Sequence, residues 1–270
     1  MKKIALLLLL LTMPAFSQPK LYAVAQSSFP FTADAYVGSD GFGFHYFINN
    51  NVFIKTDGIK SLEYSKNSLG KLSRVDIENP LLIVLFYENF NTVVLLDNQL
   101  NEVKQIEFSK LGSTAGSPSQ QNQIVAHAVG MASQNRLWVY DSLTQQIGLY
   151  DYLKNSWIAV TTPLKESFNF YQTDFNNFQW TDAQSLWYAT DIFGKIQTLG
   201  KTPEFDRIRF ASGTAFFYLK NNVLNLQDLK ANTVQTISGV DKSVKNFYYK
   251  DQILAIFTGS AITNYKITLP

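Results

Sequence analysis

An apolar run, a short polar turn and a second apolar run recur about six times along this chain, at a ragged spacing of roughly forty residues. The paired runs span 42–48 and 52–55, 81–87 and 92–97, 137–140 and 147–150, 186–189 and 196–199, 215–219 and 223–226, and 253–257 and 261–267. They are rich in Val, Ile, Leu, Phe and Tyr and are bounded by Asn, Asp, Gly and Lys, as in Asn49-Asn50-Asn51, which is strand-and-hairpin punctuation. No segment after the leader holds a 3.6-residue period over three turns with a cap at each end, so helices are not expected.

Several first runs are apolar throughout, for example Leu81-Leu82-Ile83-Val84-Leu85-Phe86, which requires burial on both faces of the strand. Flanking runs at 102–108, 156–160, 205–210 and 244–249 raise the count to about four strands per unit. Leu137-Trp138 and Leu186-Trp187 read as the same place in two units. The chain ends in a strand-like run, and a short apolar run, Leu21-Tyr22-Ala23-Val24, follows the leader. That segment is expected to pair into the last unit, closing a ring and removing a sheet edge open to aggregation.

On these repeats the chain resembles the β-propeller superfamily: an all-β ring of about six four-stranded blades, closed by its N- and C-terminal strands. A two-sheet sandwich is the competing architecture, but it needs fewer strands than the roughly twenty-four counted here. The resemblance is one of architecture. There is no Trp-Asp dipeptide at blade ends and no double glycine of the kelch type, so it implies no specific family's site. Residues 109–123, rich in Gly, Ser and Gln, read as a flexible connection between blades.

Residues 1–17 read as a signal peptide: Lys2 and Lys3, an apolar stretch from Ile4 to Leu11, and Ala15-Phe16-Ser17 before a cut near Gln18. This leaves 18–270 as a single propeller domain with no later stretch of transmembrane length. The Ala-Phe-Ser-Gln ending is similar to leaders of exported Bacteroidota proteins, which implies a periplasmic or outer-membrane-associated protein. The absence of cysteine excludes disulfides, thiolate metal sites and a cysteine nucleophile. Without Lys2 and Lys3, the 23 basic residues fall to 21 and match the 21 acidic ones. Such a neutral chain lacks the footprint of nucleic-acid binding.

Catalytic signatures are missing. No Gly-x-Ser-x-Gly elbow, His-Glu-x-x-His pair, phosphate loop or EF-hand spacing occurs. The two histidines, His45 and His127, sit in separate apolar runs as half-buried strand residues, unless the ring brings them together at its axis. Asp97, Asp141, Asp151, Asp182 and Asp191 recur after strands. They are expected to cap turns, or else to gather around the channel and bind a divalent cation. Tyr36 to Gly41 reads as a tight turn with Gly41 at positive φ.

The window holding Phe168, Phe170, Tyr171, Phe175, Phe178 and Trp180 is the candidate partner-binding cluster. Its rings are interleaved with Asn, Gln, Thr and Asp, a mixture that can form a stacking or protein-contact surface. Alternation into the neighbouring blade explains the same pattern, and open ring faces on one rim would separate the two. The reading is therefore a non-enzymatic envelope scaffold that binds a protein or envelope component through one rim, without cofactor, catalytic set or metal. The alternatives are a metal-dependent propeller hydrolase or lactonase and a glycan-binding module.

Overall fold

Continuous apolar strands need cover on both sides, and neighbouring sheets supply it. The computed structural model describes residues 20–110, 123–241 and 243–267. The chain is an all-β, six-bladed propeller whose blades are separate antiparallel sheets. Blade I comprises Ala35–Ser39, His45–Asn49, Val52–Thr56 and Ser61–Tyr64, and blade II Arg74–Asp76, Leu82–Tyr87, Thr92–Asp97 and Glu102–Glu107. Blade III comprises Ala126–Ala132, Arg136–Asp141, Gln146–Asp151 and Ser156–Ala159. Blade IV follows with Phe168–Thr173, Asn177–Asp182, Leu186–Asp191 and Ile196–Lys201, and blade V with Arg207–Phe210, Ala215–Lys220, Val223–Asp228 and Thr233–Ser238. Blade VI takes Asn246–Lys250, Ile253–Phe257 and Ala261–Lys266 from the C-terminal region and Val24–Pro30 from the N-terminal region.

The core is a circle of seams with no single centre. One buried cluster joins blades VI, I and II through Phe257, Tyr46 and Leu85. Others join II to III, III to IV, IV to V and V to VI. Strand alternation divides each apolar run between two seams. In blade II, Ile83, Leu85 and Tyr87 face blade I, whereas Val84 and Phe86 face blade III. In blade VI, Leu254 and Ile256 face blade V, whereas Ala255 and Phe257 face blade I.

Closure is antiparallel, from Val24 opposite Lys266 to Pro30 opposite Ala261. The expected terminal pairing is therefore present, with one correction: Lys20–Tyr22 runs parallel to Thr233–Ser238 of blade V, so the N-terminal segment stitches two blades.

Turn chemistry fixes the hairpins. Asn50 and Asn51 take φ of 49° and 66°, and Asn221 and Asn222 take 50° and 61°; both pairs have the double positive φ of tight hairpin turns, which Asn tolerates. Two turn asparagines, Asn51 and Asn91, also hold the entry to the next blade. Asn51 donates from Nδ2 to the Gly70 carbonyl at 2.9 Å and accepts from the Leu72 amide at 2.7 Å. Asn91 repeats this on the Ile124 carbonyl at 2.6 Å and the Ala126 amide at 2.9 Å.

Three local expectations change. In blade IV the runs 186–189 and 196–199 are third and fourth strands, because 177–182 is the second. Leu137-Trp138 and Leu186-Trp187 thus lie on a second and a third strand and are not equivalent. The turn after Ala35–Ser39 spans Asp40 to Phe44, with Gly43 and not Gly41 at positive φ, 89°. The segment expected to be a signal peptide, 1–17, and most of the expected connection 109–123 lie outside the described residues. No helix among the described residues is long and apolar enough to cross a membrane.

Because the seams form one circuit, removing residues 20–30 should lower thermal stability sharply and broaden the unfolding transition, which calorimetry reads directly. Asn51→Ala and Asn91→Ala should each cost about 1–3 kcal/mol by urea denaturation, since each leaves an amide and a carbonyl without their partner. An unchanged midpoint for both would mean the clasps contribute nothing.

Candidate functional sites: the axis and the lower face

The antiparallel order gives the ring two faces. The turns between second and third strands and the blade-to-blade connections share one end, here the upper face. The turns from first to second and from third to fourth strands share the other, the lower face. The first strands meet around the axis.

A side-chain knot closes that axis. Asp76 of blade II accepts from the Glu78 amide at 2.7 Å, from the Met131 amide of blade III at 2.9 Å and from the Thr173 hydroxyl of blade IV at 3.0 Å. Gly130 makes this possible, because a Cβ there would collide with Thr173 Oγ1 and stand 2.8 Å from Asp76 Oδ2. Arg74 stacks on Tyr171 at 3.8 Å and donates to the Tyr171 carbonyl at 3.0 Å. Arg209 stacks on Tyr248 at 4.2 Å. Lys250 of blade VI reaches Glu78 at 3.3 Å. Burial, with Asp76 nearby, holds the Glu78 carboxyl above its ordinary value despite Lys250. Lys250 is held above its own value because Tyr248 and Glu78 outweigh the opposing effect of burial. A cavity of about 40 Å³ remains among Arg74, Asp76, Glu78, Thr173, Arg209 and Tyr248.

The lower face has a different character. Phe42, Ile59, Leu81, Leu153, Phe175 and Phe193 are exposed on its turns, with Ile59 99 % and Phe193 85 % accessible. Side-chain oxygens two residues earlier brace five of them. The amides of Phe42, Ile59, Leu81, Leu153 and Phe193 donate to Asp40, Asp57, Asn79, Asp151 and Asp191 at 2.9, 2.9, 3.1, 3.0 and 2.9 Å. Amides from Lys60 and Ile59 lower the Asp57 carboxyl, and the Lys154 amide does the same for Asp151. Beside Phe175 and Phe193 lies a hollow of about 390 Å³, walled by Gln172, Asp174, Asn177, Asp191, Lys195 and Gln197. The upper face exposes only Phe90, Leu143 and Val223 among the large apolar side chains described on its turns.

The six aromatic residues singled out in sequence lie on both sides of this division. Phe178 and Trp180 are buried in the seam between blades III and IV, together with Tyr171. Tyr171 stacks on Phe178 at 5.5 Å, and burial raises its hydroxyl pKa. Phe168 and Phe170 are half-buried, packed on Tyr140 at 4.7 Å and Phe210 at 5.5 Å. Phe175 alone of the six is exposed, on a lower-face turn.

The five aspartates do not gather at the channel. Asp141 and Asp182 cap upper turns, and Asp97, Asp151 and Asp191 cap lower ones. Among the described residues, no three His, Asp or Glu side chains are grouped as a metal site would require. The histidines sit on opposite faces: His45 contacts Tyr36 Oη at 3.4 Å below, and His127 lies 2.5 Å from Glu88 above. Sequence reasoning missed Arg74, Asp76 and Arg209. The recurrent Asx-x-apolar triplet was the available sign of the lower-face tips.

No protein-family model matches the chain, and no curated protein matches it in sequence. Solved structures share its fold. A member of the DUF4221 family from Bacteroides vulgatus superposes with a TM-score of 0.57 at 9% identity, covering 93% of this chain and 99% of that one. A streptogramin B lyase gives 0.54 at 12% identity, covering 90% and 98%. BBS1N, solved in complex with ARL6DN, gives 0.54 at 9% identity, covering 92% and 98%. At these identities the likeness is one of fold.

The axial knot has a direct test. Gly130→Ala should destabilise by about 1–3 kcal/mol through overpacking against Thr173 and Asp76. Asp76→Asn, which sets an amide NH2 among groups that donate, should cost a similar 1–3 kcal/mol. Chemical denaturation of both variants checks this, and wild-type midpoints would show that the knot is slack.

Proposed function

We propose that this protein is an exported, non-enzymatic propeller that binds a protein partner of the cell envelope through its lower face. The observation that carries this reading is the set of six exposed apolar tips on that face, Phe42, Ile59, Leu81, Leu153, Phe175 and Phe193. Soluble surfaces rarely concentrate large apolar side chains on one side without a use for them. The bracing turns hold the tips in place before binding, so little ordering cost falls on complex formation. The hollow beside Phe175 and Phe193 can accept a polar side chain from the partner. That BBS1N is a propeller crystallised in a complex supports the reading at the level of fold.

Of the aromatic window, Phe175 is retained as a contact residue. Phe168, Phe170, Tyr171, Phe178 and Trp180 support the face from within. A hydroxyl-rich glycan is the second reading, favoured by the amide-lined hollow containing Asn177, Gln179 and Gln197. Export through the leader at 1–17 places the protein in the periplasm or at the outer membrane under this proposal.

Affinity capture from envelope fractions of the native cell tests the partner. Ile59→Glu with Phe193→Glu should reduce capture at least tenfold, an interface loss of about 1.4 kcal/mol or more, without moving the melting temperature. The upper-face control Phe90→Glu with Leu143→Glu should leave capture intact. Equal capture by both variants would refute the lower face, and saturable binding of an envelope oligosaccharide by isothermal titration would favour the glycan. Cell fractionation with N-terminal sequencing of the purified protein should find it in the envelope, beginning at Gln18; a cytoplasmic protein retaining residues 1–17 would overturn the proposed location.

A further inference from the structure

Two guanidinium groups line the cavity on the ring axis. Among the described residues, Arg74 and Arg209 form no ion pair with any carboxylate. The Nε atoms of both are buried and have no hydrogen-bond partner. The side chain of Arg209 makes no hydrogen bond among the described residues, and Arg74 has only its bond to the Tyr171 carbonyl.

The carboxylates nearest to them make their hydrogen bonds and ion pair to other groups. Asp76 accepts from two amides and a hydroxyl, and Glu78 is paired with Lys250 while also feeling the charge of Arg209. Arg74 and Arg209 share the wall of this cavity with Asp76 and Glu78. A buried N–H with no acceptor is costly. The tyrosine rings beneath the two guanidinium groups cover their faces and leave N–H edges directed elsewhere. Edge-on N–H groups are the geometry that takes an oxyanion. The cavity of about 40 Å³ has room for about three waters, the size of one small oxyanion head group.

We infer that the axial channel is a binding site for a small oxyanion, held between Arg74 and Arg209. Phosphate, sulfate and carboxylate share the chemistry required. The site is independent of the lower-face reading, since it needs neither the exposed tips nor a macromolecular partner.

Thermal melting of the mature protein in sodium phosphate, sodium sulfate and sodium acetate, each against sodium chloride at equal ionic strength, tests the inference. At least one oxyanion should raise the melting temperature saturably above the chloride control, because a ligand that binds only the folded state stabilises it. A response to acetate as well identifies carboxylate recognition, and a response confined to phosphate and sulfate identifies a tetrahedral anion. Arg209→Gln, which removes a side chain with no hydrogen bond to lose, should abolish the shift, and Arg209→Lys should retain part of it.

Arginine-selective ¹⁵N spectra of the wild type give a readout that does not depend on any variant folding. Two Nε–H signals should move on titration with inorganic phosphate, sulfate or acetate, whichever raises the melting temperature. The inference fails if no oxyanion exceeds chloride, if Arg209→Gln shifts as the wild type does, or if the Nε–H signals stay fixed.

Discussion

Blade-on-blade burial is the constraint from which the rest of this molecule follows. Each buried cluster spans at least two blades, so no blade owns a core and none can be stable alone. The circuit is complete only when Val24–Pro30 becomes the outer strand of blade VI. The parallel contact of Lys20–Tyr22 with blade V extends the same segment across one more seam. A chain without cysteine relies on this closure and not on disulfides.

The seams and the axis are held by different chemistry. Between blades the contacts are aliphatic and aromatic, such as Trp187 stacked on Phe210 at 4.5 Å. At the axis six first strands converge around a small polar space. Hydrogen bonds and stacked cations fill it. Asp76 ties three blades with one carboxylate, and Gly130 supplies the clearance. Among the described residues, the knot leaves the buried Nε–H groups of Arg74 and Arg209 without a partner at the centre of an otherwise apolar ring.

The ring was legible in sequence because two-sided burial writes itself into continuous apolar runs, and hairpin turns into Asn, Asp and Gly. Five of the six paired runs are second and third strands. The phase slipped in blade IV because the second strand, Asn177–Asp182, alternates Phe178 and Trp180 with polar residues and resembles a binding surface as much as a strand. Those rings fill the seam toward blade III. The axial residues left no comparable trace. Arg74 and Asp76 sit on a three-residue strand with no apolar run, and their partners Tyr171 and Thr173 lie 97 positions away. No local pattern reports a contact of that separation. The exposed tips left an ambiguous trace: an Asp or Asn followed two residues later by a large apolar residue occurs at residues 40, 57, 79, 151 and 191, but also at upper-face Asp141 and before buried residues such as Phe53.

That triplet has a physical logic. A carboxylate or carboxamide that accepts the amide two residues on bends inward to the backbone and satisfies the turn locally, which leaves the third side chain directed away from the sheet with no structural task. On the upper face, Asn51 and Asn91 instead spend their turn side chains on clasping the entry to the next blade. The two faces thus divide the work of the turns. The upper one carries the carboxamide clasps between consecutive blades and one braced tip, Leu143, whereas the lower one leaves Phe42, Ile59, Leu81, Leu153 and Phe193 standing on braced turns. Apolar residues kept exposed where an Asx turn already meets the needs of the backbone are not required by the turn itself.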